Sequence, residues 1–141
     1  MAFQTPPEPK TLLIGQKASI SKTITESDIN TFAGLIADFN TVHVNAEYAK
    51  KTRFGERIAH GMLTASFLST IVGMCIPGAD AIYLGQTLKF IAPVKIGDTI
   101  TATGEVVRII KEKKIAYLKT TIVNQRGEVV VEGEGTVMTT K

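Results

Sequence analysis

Asp38 and His43 stand five positions apart in the stretch Ala37-Asp38-Phe39-Asn40-Thr41-Val42-His43, with a turn expected between them. A carboxylate and an imidazole at that spacing can take a proton from water and return one. Unperturbed Asp and His have pKa values near 4 and 6.5, so both accept protons around neutrality. Asn40 brings a side-chain amide suited to hydrogen-bonding the turn backbone. A second segment, Ile58-Ala59-His60-Gly61-Met62-Leu63, opens a long apolar run. Gly61 has no side chain, so a ligand oxygen can approach the free N–H groups and the positive dipole end of a helix that starts there. A proton-moving pair joined to a site for a developing oxyanion suggests water addition to, or removal from, an activated acyl chain.

Each of these residues also has a plainer reading. Asp38 falls at or just past a helix C-terminus, where the dipole disfavours a carboxylate by up to about 1 kcal/mol. A solvated helix-end Asp is equally common. His60, at a positive helix end, should be neutral and reads as a structural residue rather than a catalytic one. Ser69, two turns further on, either bonds helix carbonyls or reaches a ligand. Lys50, Lys51, Arg53 and Arg57 are a solvated surface or the contacts for a phosphorylated carrier.

The elements that must hold these groups follow from periodicity. Residues 17–24 form a first strand. Thr25 and Asp28 have the spacing of a capping box, and Ile29, Phe32, Ala33 and Ile36 recur at helical spacing over 26–37. Asn45 caps a second short helix over 46–51. Residues 60–76 make a long helix that stops at Pro77-Gly78; apolar residues surround it, so it must be covered nearly all round. The segments 82–93, 99–110, 115–123 and 128–139 read as strands. Their apolar faces carry Ala102, Gly104, Gly133 and Gly135, small residues that suit a sheet pressed against one helix. The architecture expected is α+β: an antiparallel sheet curled around a central helix in a hot-dog arrangement.

The bulk composition narrows the function classes. A chain of 141 residues with 44% apolar and 21% charged residues is one globular domain. Residues 1–10, with Pro6, Pro7 and Pro9, form a tail; 11–141 form the domain. The net charge of +3 is interspersed and aromatics are 6%, a poor basis for nucleic-acid binding. The lone Cys75 precludes an intramolecular disulfide, and two histidines with one cysteine speak against a structural zinc site. The run 59–76 is too polar for a membrane span, and no signal pattern opens the chain. The expectation is a cytoplasmic protein without membrane or nucleic-acid partners.

Taken together, the motifs resemble those of the MaoC-like (R)-specific enoyl-CoA hydratases, including those that feed polyhydroxyalkanoate synthesis. The resemblance runs from about Gly15 to Met138. The family pattern D-x-N-P-x-H is met by Asp38, Asn40 and His43, with Thr41 in place of proline. It continues through Arg57-Ile58-Ala59-His60-Gly61-Met62-Leu63, Tyr83-Leu84-Gly85-Gln86 and Pro93-Val94-Lys95-Ile96-Gly97-Asp98. The resemblance implies a hot-dog homodimer, a catalytic pair at Asp38 and His43, and an oxyanion contact from the Gly61 N–H. It places Ser69 near the acyl chain of a CoA thioester, with Asn40 also in the substrate site, and requires no metal or redox cofactor. Other readings are a 3-hydroxyacyl-carrier-protein dehydratase, the same chemistry reversed, and a non-catalytic acyl-CoA-binding protein. A hot-dog thioesterase fits less well, because 60–76 lacks an acidic residue.

Overall fold

The computed structural model describes residues 11–139. The tail expected over residues 1–10 lies outside them. The chain order is β1 (Lys17–Thr23), α1 (Glu26–Ile36), α2 (Thr41–Val44), α3 (Ala46–Lys50), α4 (Gly61–Met74), β2 (Ile82–Gln86), β3 (Lys89–Phe90), β4 (Thr99–Ile110), β5 (Ile115–Val123) and β6 (Val129–Met138). The strands form one antiparallel sheet in the order β1-β4-β5-β6-β2, with β3 also pairing with β6. No helix among the described residues is long and apolar enough to cross a membrane.

Local chemistry accounts for the helices. Thr25 Oγ1 accepts from the Asp28 N–H at 3.1 Å, and Asp28 Oδ2 accepts from the Thr25 N–H at 2.9 Å, which satisfies two orphan donors at the start of α1. Lys22 Nζ adds a 2.6 Å contact to the same carboxylate and, with these bonds, holds its pKa below the ordinary value. Asn45 caps α3 by accepting from the Tyr48 N–H at 2.9 Å. Both helix starts occur where the sequence places them.

The core lies between α4 and the sheet. Leu68, Ile71 and Val72 of α4 are buried with Ile100, Ala102 and Val106 of β4 and Leu118 and Ile122 of β5. Burying side chains of this size contributes about 1.5–3 kcal/mol each. Gly104 shows why the sheet needs a small residue there: a Cβ would stand 2.8 Å from Ile71 Cγ2.

Gly133 and Gly135 do a different job from the one expected. Gly104, Thr120 and Gly133 lie opposite one another across β4, β5 and β6, so they share the face that α4 covers. A Cβ on Gly133, however, would meet not the helix but the Thr87 carbonyl oxygen, at 1.9 Å, and one on Gly135 would meet Gln86 Oε1 at 2.8 Å. The expected single strand over 82–93 is in fact broken into β2 and β3. The chain between them lies directly against β6, fixed by Thr87 N–H to Glu134 O at 2.9 Å and by Glu134 N–H to Thr87 Oγ1 at 2.9 Å. Glycine is required at 133 because backbone approaches backbone there.

Candidate active site

The site forms where the segment after α1 meets the start of α4. Helix α1 ends at Ile36, and Ala37 turns the chain with φ 59°, in the left-handed region. That conformation costs an alanine roughly 1–2 kcal/mol, and it reverses the chain so that Asp38 leaves the helix axis. Asp38 Oδ1 then accepts from the Asn40 N–H at 3.1 Å. Asn40 Oδ1 accepts from the Val42 N–H at 3.2 Å and caps α2. The expected turn is therefore a single helical turn, Thr41–Val44, with His43 inside it. Thr41 is the first residue of that turn, the position at which a proline is also well suited.

His43 has one ring nitrogen committed and one open. Its Nδ1 lies 2.8 Å from the Ile58 carbonyl oxygen. A carbonyl only accepts, so Nδ1 carries the proton and Nε2 carries the lone pair. Burial pushes the His43 pKa below the ordinary 6.5 and outweighs the upward pull of the Ile58 hydrogen bond; the neighbouring His60 acts in the same downward direction, while Asp38 opposes it. The ring is thus held neutral around pH 7, ready to accept a proton. Arg57 anchors the backbone of the same residue. Its Nε donates to the His43 carbonyl at 2.6 Å, and its two terminal nitrogens reach Glu26 Oε1 at 2.5 Å and Asn30 Oδ1 at 2.7 Å. Arg57 is therefore an internal clamp between α1 and α2 rather than a solvated surface charge. An arginine beside Ile58 and Ala59 was the signal for it.

His60 joins the two sides of the site. It is 2% exposed. Its ring stacks on His43 with centroids 3.9 Å apart and 27° between the planes. Its Nε2 donates to the Asp38 carbonyl oxygen at 3.0 Å. Phe32 of α1 meets the same ring edge-on at 5.1 Å. As a structural residue His60 is only half satisfied, because its Nδ1 is buried without a partner. One ligand atom from each of Asp38, His43 and His60 lies within 4.8 Å of the other two. The geometry is poor for a metal ion: stacked rings hold their in-plane lone pairs in two nearly parallel planes. One nitrogen of each ring is also already bound to a carbonyl.

Gly61 is the first residue of α4, so its N–H has no acceptor within the helix. It lines a cleft of about 380 Å³ with Arg53, Ile58, Thr64, Phe90 and Val94. A Cβ on Gly61 would lie 2.7 Å from the Phe90 ring, so the ring stands close over the helix start. Ser69 is exposed on α4, in a second, more apolar cleft of about 460 Å³ with Phe32, Tyr83, Gln86 and Leu88. Met62 lines both clefts. The structure thus brings Asp38, Asn40 and His43 together, sets Gly61 immediately after the His60 ring that stacks on His43, and leaves Ser69 two turns along the helix.

Residues 11–127 match the MaoC like domain. The chain belongs to the MaoC-like family. Within that family it is 56% identical over 124 residues to an (R)-specific enoyl-CoA hydratase of Rhodospirillum rubrum, an alignment covering 88% of this chain and 85% of the relative. It is 40% identical over 129 residues to the mitochondrial 3-hydroxyacyl-[acyl-carrier-protein] dehydratase FERN of Solanum lycopersicum, covering 90% and 77%. The solved (R)-hydratase of Aeromonas caviae involved in PHA biosynthesis superposes with a TM-score of 0.89 at 42% identity, covering 92% of this chain and 98% of that one. The curled sheet with α4 against it is the hot-dog fold of this MaoC-like group.

Proposed function

We propose that this protein hydrates trans-2-enoyl-CoA thioesters to (R)-3-hydroxyacyl-CoA. The observation that carries the proposal is the Asp38–His43 pair, one ligand atom of each within 4.8 Å, with the His43 Nδ1 committed to the Ile58 carbonyl, next to the start of α4. In such a substrate the thioester carbonyl withdraws electrons and makes C3 electrophilic. Asp38 and His43 orient one water and take its proton as its oxygen bonds to C3. The electron pair of the double bond moves toward the carbonyl, and the enolate charge that builds on the thioester oxygen is met by the Gly61 N–H and the positive end of the α4 dipole. A proton returned to C2 completes the addition, so nothing but water is consumed. The apolar cleft beside Ser69 suits the acyl chain, and Asn40 keeps the Asp38 turn in shape from within the substrate site. No metal or redox cofactor enters this scheme.

The homodimer belongs to the same reading. β2 forms one edge of the sheet, and unpaired edge groups invite pairing with another strand. Ile82 and Leu84 of that edge, with Met62, Phe90 and Ile91, are exposed. A second copy related by a two-fold axis would cover them. We place the protein in the cytoplasm, where acyl-CoA substrates are used.

Loss of enoyl absorbance with crotonyl-CoA, followed by chiral analysis of the product, tests the activity. An (R) product is expected; an (S) product, or no turnover with several chain lengths, would sink the proposal. Comparing kcat/KM on the CoA thioester and on the same acyl group carried by acyl-carrier protein separates the hydratase from the carrier-protein dehydratase, which the tomato relative keeps in view. A binding protein without catalysis would turn over neither.

A further inference from the structure

We propose that His60 is a positioning residue locked in one neutral tautomer, its Nε2–H on the Asp38 carbonyl and its ring against His43, so that one side chain fixes both members of the proton-moving pair. This builds on the hydratase reading and adds a residue to it. His60 contacts Asp38 through a 3.0 Å hydrogen bond and His43 through a 3.9 Å stack. Phe32 backs the ring at 5.1 Å. A side chain 2% exposed and held on three sides has little freedom to choose another rotamer.

The tautomer follows from the partners. The Asp38 carbonyl accepts only, so the proton must be on Nε2. A ring turned to the other tautomer would set two lone pairs against each other. Protonating Nδ1 would bury a second N–H with no acceptor, since no partner surrounds that atom. It would also put a positive charge at the positive end of α4, whose N-cap is His60. The other charged or titratable groups around the pair are Asp38 at the end of α1 and His43 in α2, with Arg57 and Glu26 on the far side of the His43 backbone. None of them offers Nδ1 an acceptor. Thr64, one turn along α4, has a buried hydroxyl that is also unpaired.

The two histidines therefore use opposite nitrogens. His43 gives Nδ1–H to a carbonyl and keeps Nε2 for chemistry; His60 gives Nε2–H to a carbonyl and keeps Nδ1 buried. Moving the Asp38 carbonyl moves its carboxylate with it, and releasing the stack lets the His43 ring tilt. Misplacement on the order of 1 Å can cost roughly 100-fold in rate.

Long-range proton–nitrogen NMR of the two histidine rings in the parent protein reads the tautomers directly. His60 as the Nε2–H form is expected; an Nδ1–H form would overturn the proposal. This arm needs no activity, so its failure is distinct from failure of the hydratase reading, which the crotonyl-CoA assay of the parent decides. In the second arm, His60→Phe keeps an aromatic ring and removes the donor, while His60→Gln keeps a donor and removes the ring. His60→Phe should lower kcat roughly 100-fold with KM little changed, and His60→Gln should recover part of that loss. A kcat within about twofold of the parent in His60→Phe, or equal losses in kcat in both variants that track a fall in melting temperature, would reduce His60 to packing. Should His60→Phe not fold, the NMR arm on the parent still decides.

Discussion

The segment Ala37–Asn45 and the helix α4 meet at the same site but are held in opposite ways. α4 is fixed by apolar burial on the face toward the sheet, with Leu63, Leu68, Ile71 and Val72 all inaccessible or nearly so, while Met62, Ser66 and Ser69 are exposed, so it is not covered nearly all round as its apolar content led us to expect. The segment carrying Asp38 and His43 has no buried residue in its helical turn. It is held by directed polar contacts: Arg57 on the His43 carbonyl, His43 on the Ile58 carbonyl, His60 on the Asp38 carbonyl, and Asn40 on the Val42 N–H. Packing gives a rigid post whose N-terminus needs little adjustment. Hydrogen bonds to backbone fix the direction of two side chains that a loop would leave free. In the proposed mechanism the groups that move protons sit on the polar part, and the donor for the enolate oxygen sits on the packed part.

That contrast predicts mutations with opposite signatures. The largest effects should come from the reacting groups. Asp38→Asn and His43→Ala should each lower kcat about 100- to 10,000-fold with the melting temperature nearly unchanged. The double variant should be little worse than the worse single one, because the two act on one water. Steady-state kinetics with thermal unfolding checks this, and activity within a few-fold of the parent would remove that residue from the mechanism.

On the packed side, Leu68→Ala and Ile71→Ala should do the reverse. Removing a buried aliphatic side chain costs about 2–5 kcal/mol of stability, read by denaturant unfolding, while the folded fraction stays active. Arg57→Met falls between the two. It removes three hydrogen bonds from a charged group, each worth about 1.5–3 kcal/mol at most and less where Glu26 is exposed. We expect kcat to fall more than stability does. A loss of stability alone would show that Arg57 ties α1 to the fold rather than orienting His43.

Smaller still is the pH effect. His43 must be neutral to accept a proton, and its pKa lies below the ordinary 6.5 because of burial. The acid limb of kcat/KM should therefore fall below pH 6.5. A base with a depressed folded pKa also contributes stability that is full above the unfolded value near 6.5 and is lost as pH falls through the folded value. An acid limb above 6.5 would contradict the burial argument. Gly61→Ala should reduce turnover, but its Cβ meets the Phe90 ring as well as any substrate. The pair with Phe90→Ala separates the causes: activity restored in the double variant points to displaced Phe90, and activity still lost points to blocked carbonyl approach.

Much of this was legible in the chain because it depends on near neighbours. The capping box at Thr25, the cap at Asn45, α4 with its stop at Pro77, and the alternation of β4 are signals a few residues long. Asp38, Asn40, His43 and Gly61 were visible as chemistry-bearing types in a compact pattern. What could not be read involves distant partners. Arg57 acts on residues 14 to 31 positions away. His60 meets Asp38 from 22 positions away. Gly133 is small for the sake of Thr87, and the break between β2 and β3 depends on β6. A glycine reports that something comes close, not what.

The most direct measurement of the central claim is a structure of the Asp38→Asn protein with crotonyl-CoA bound. The account predicts the thioester oxygen within about 3 Å of the Gly61 nitrogen, C3 facing Nε2 of His43, and the acyl chain along the cleft beside Ser69. A thioester oxygen turned away from the start of α4, with C3 remote from His43, would contradict it.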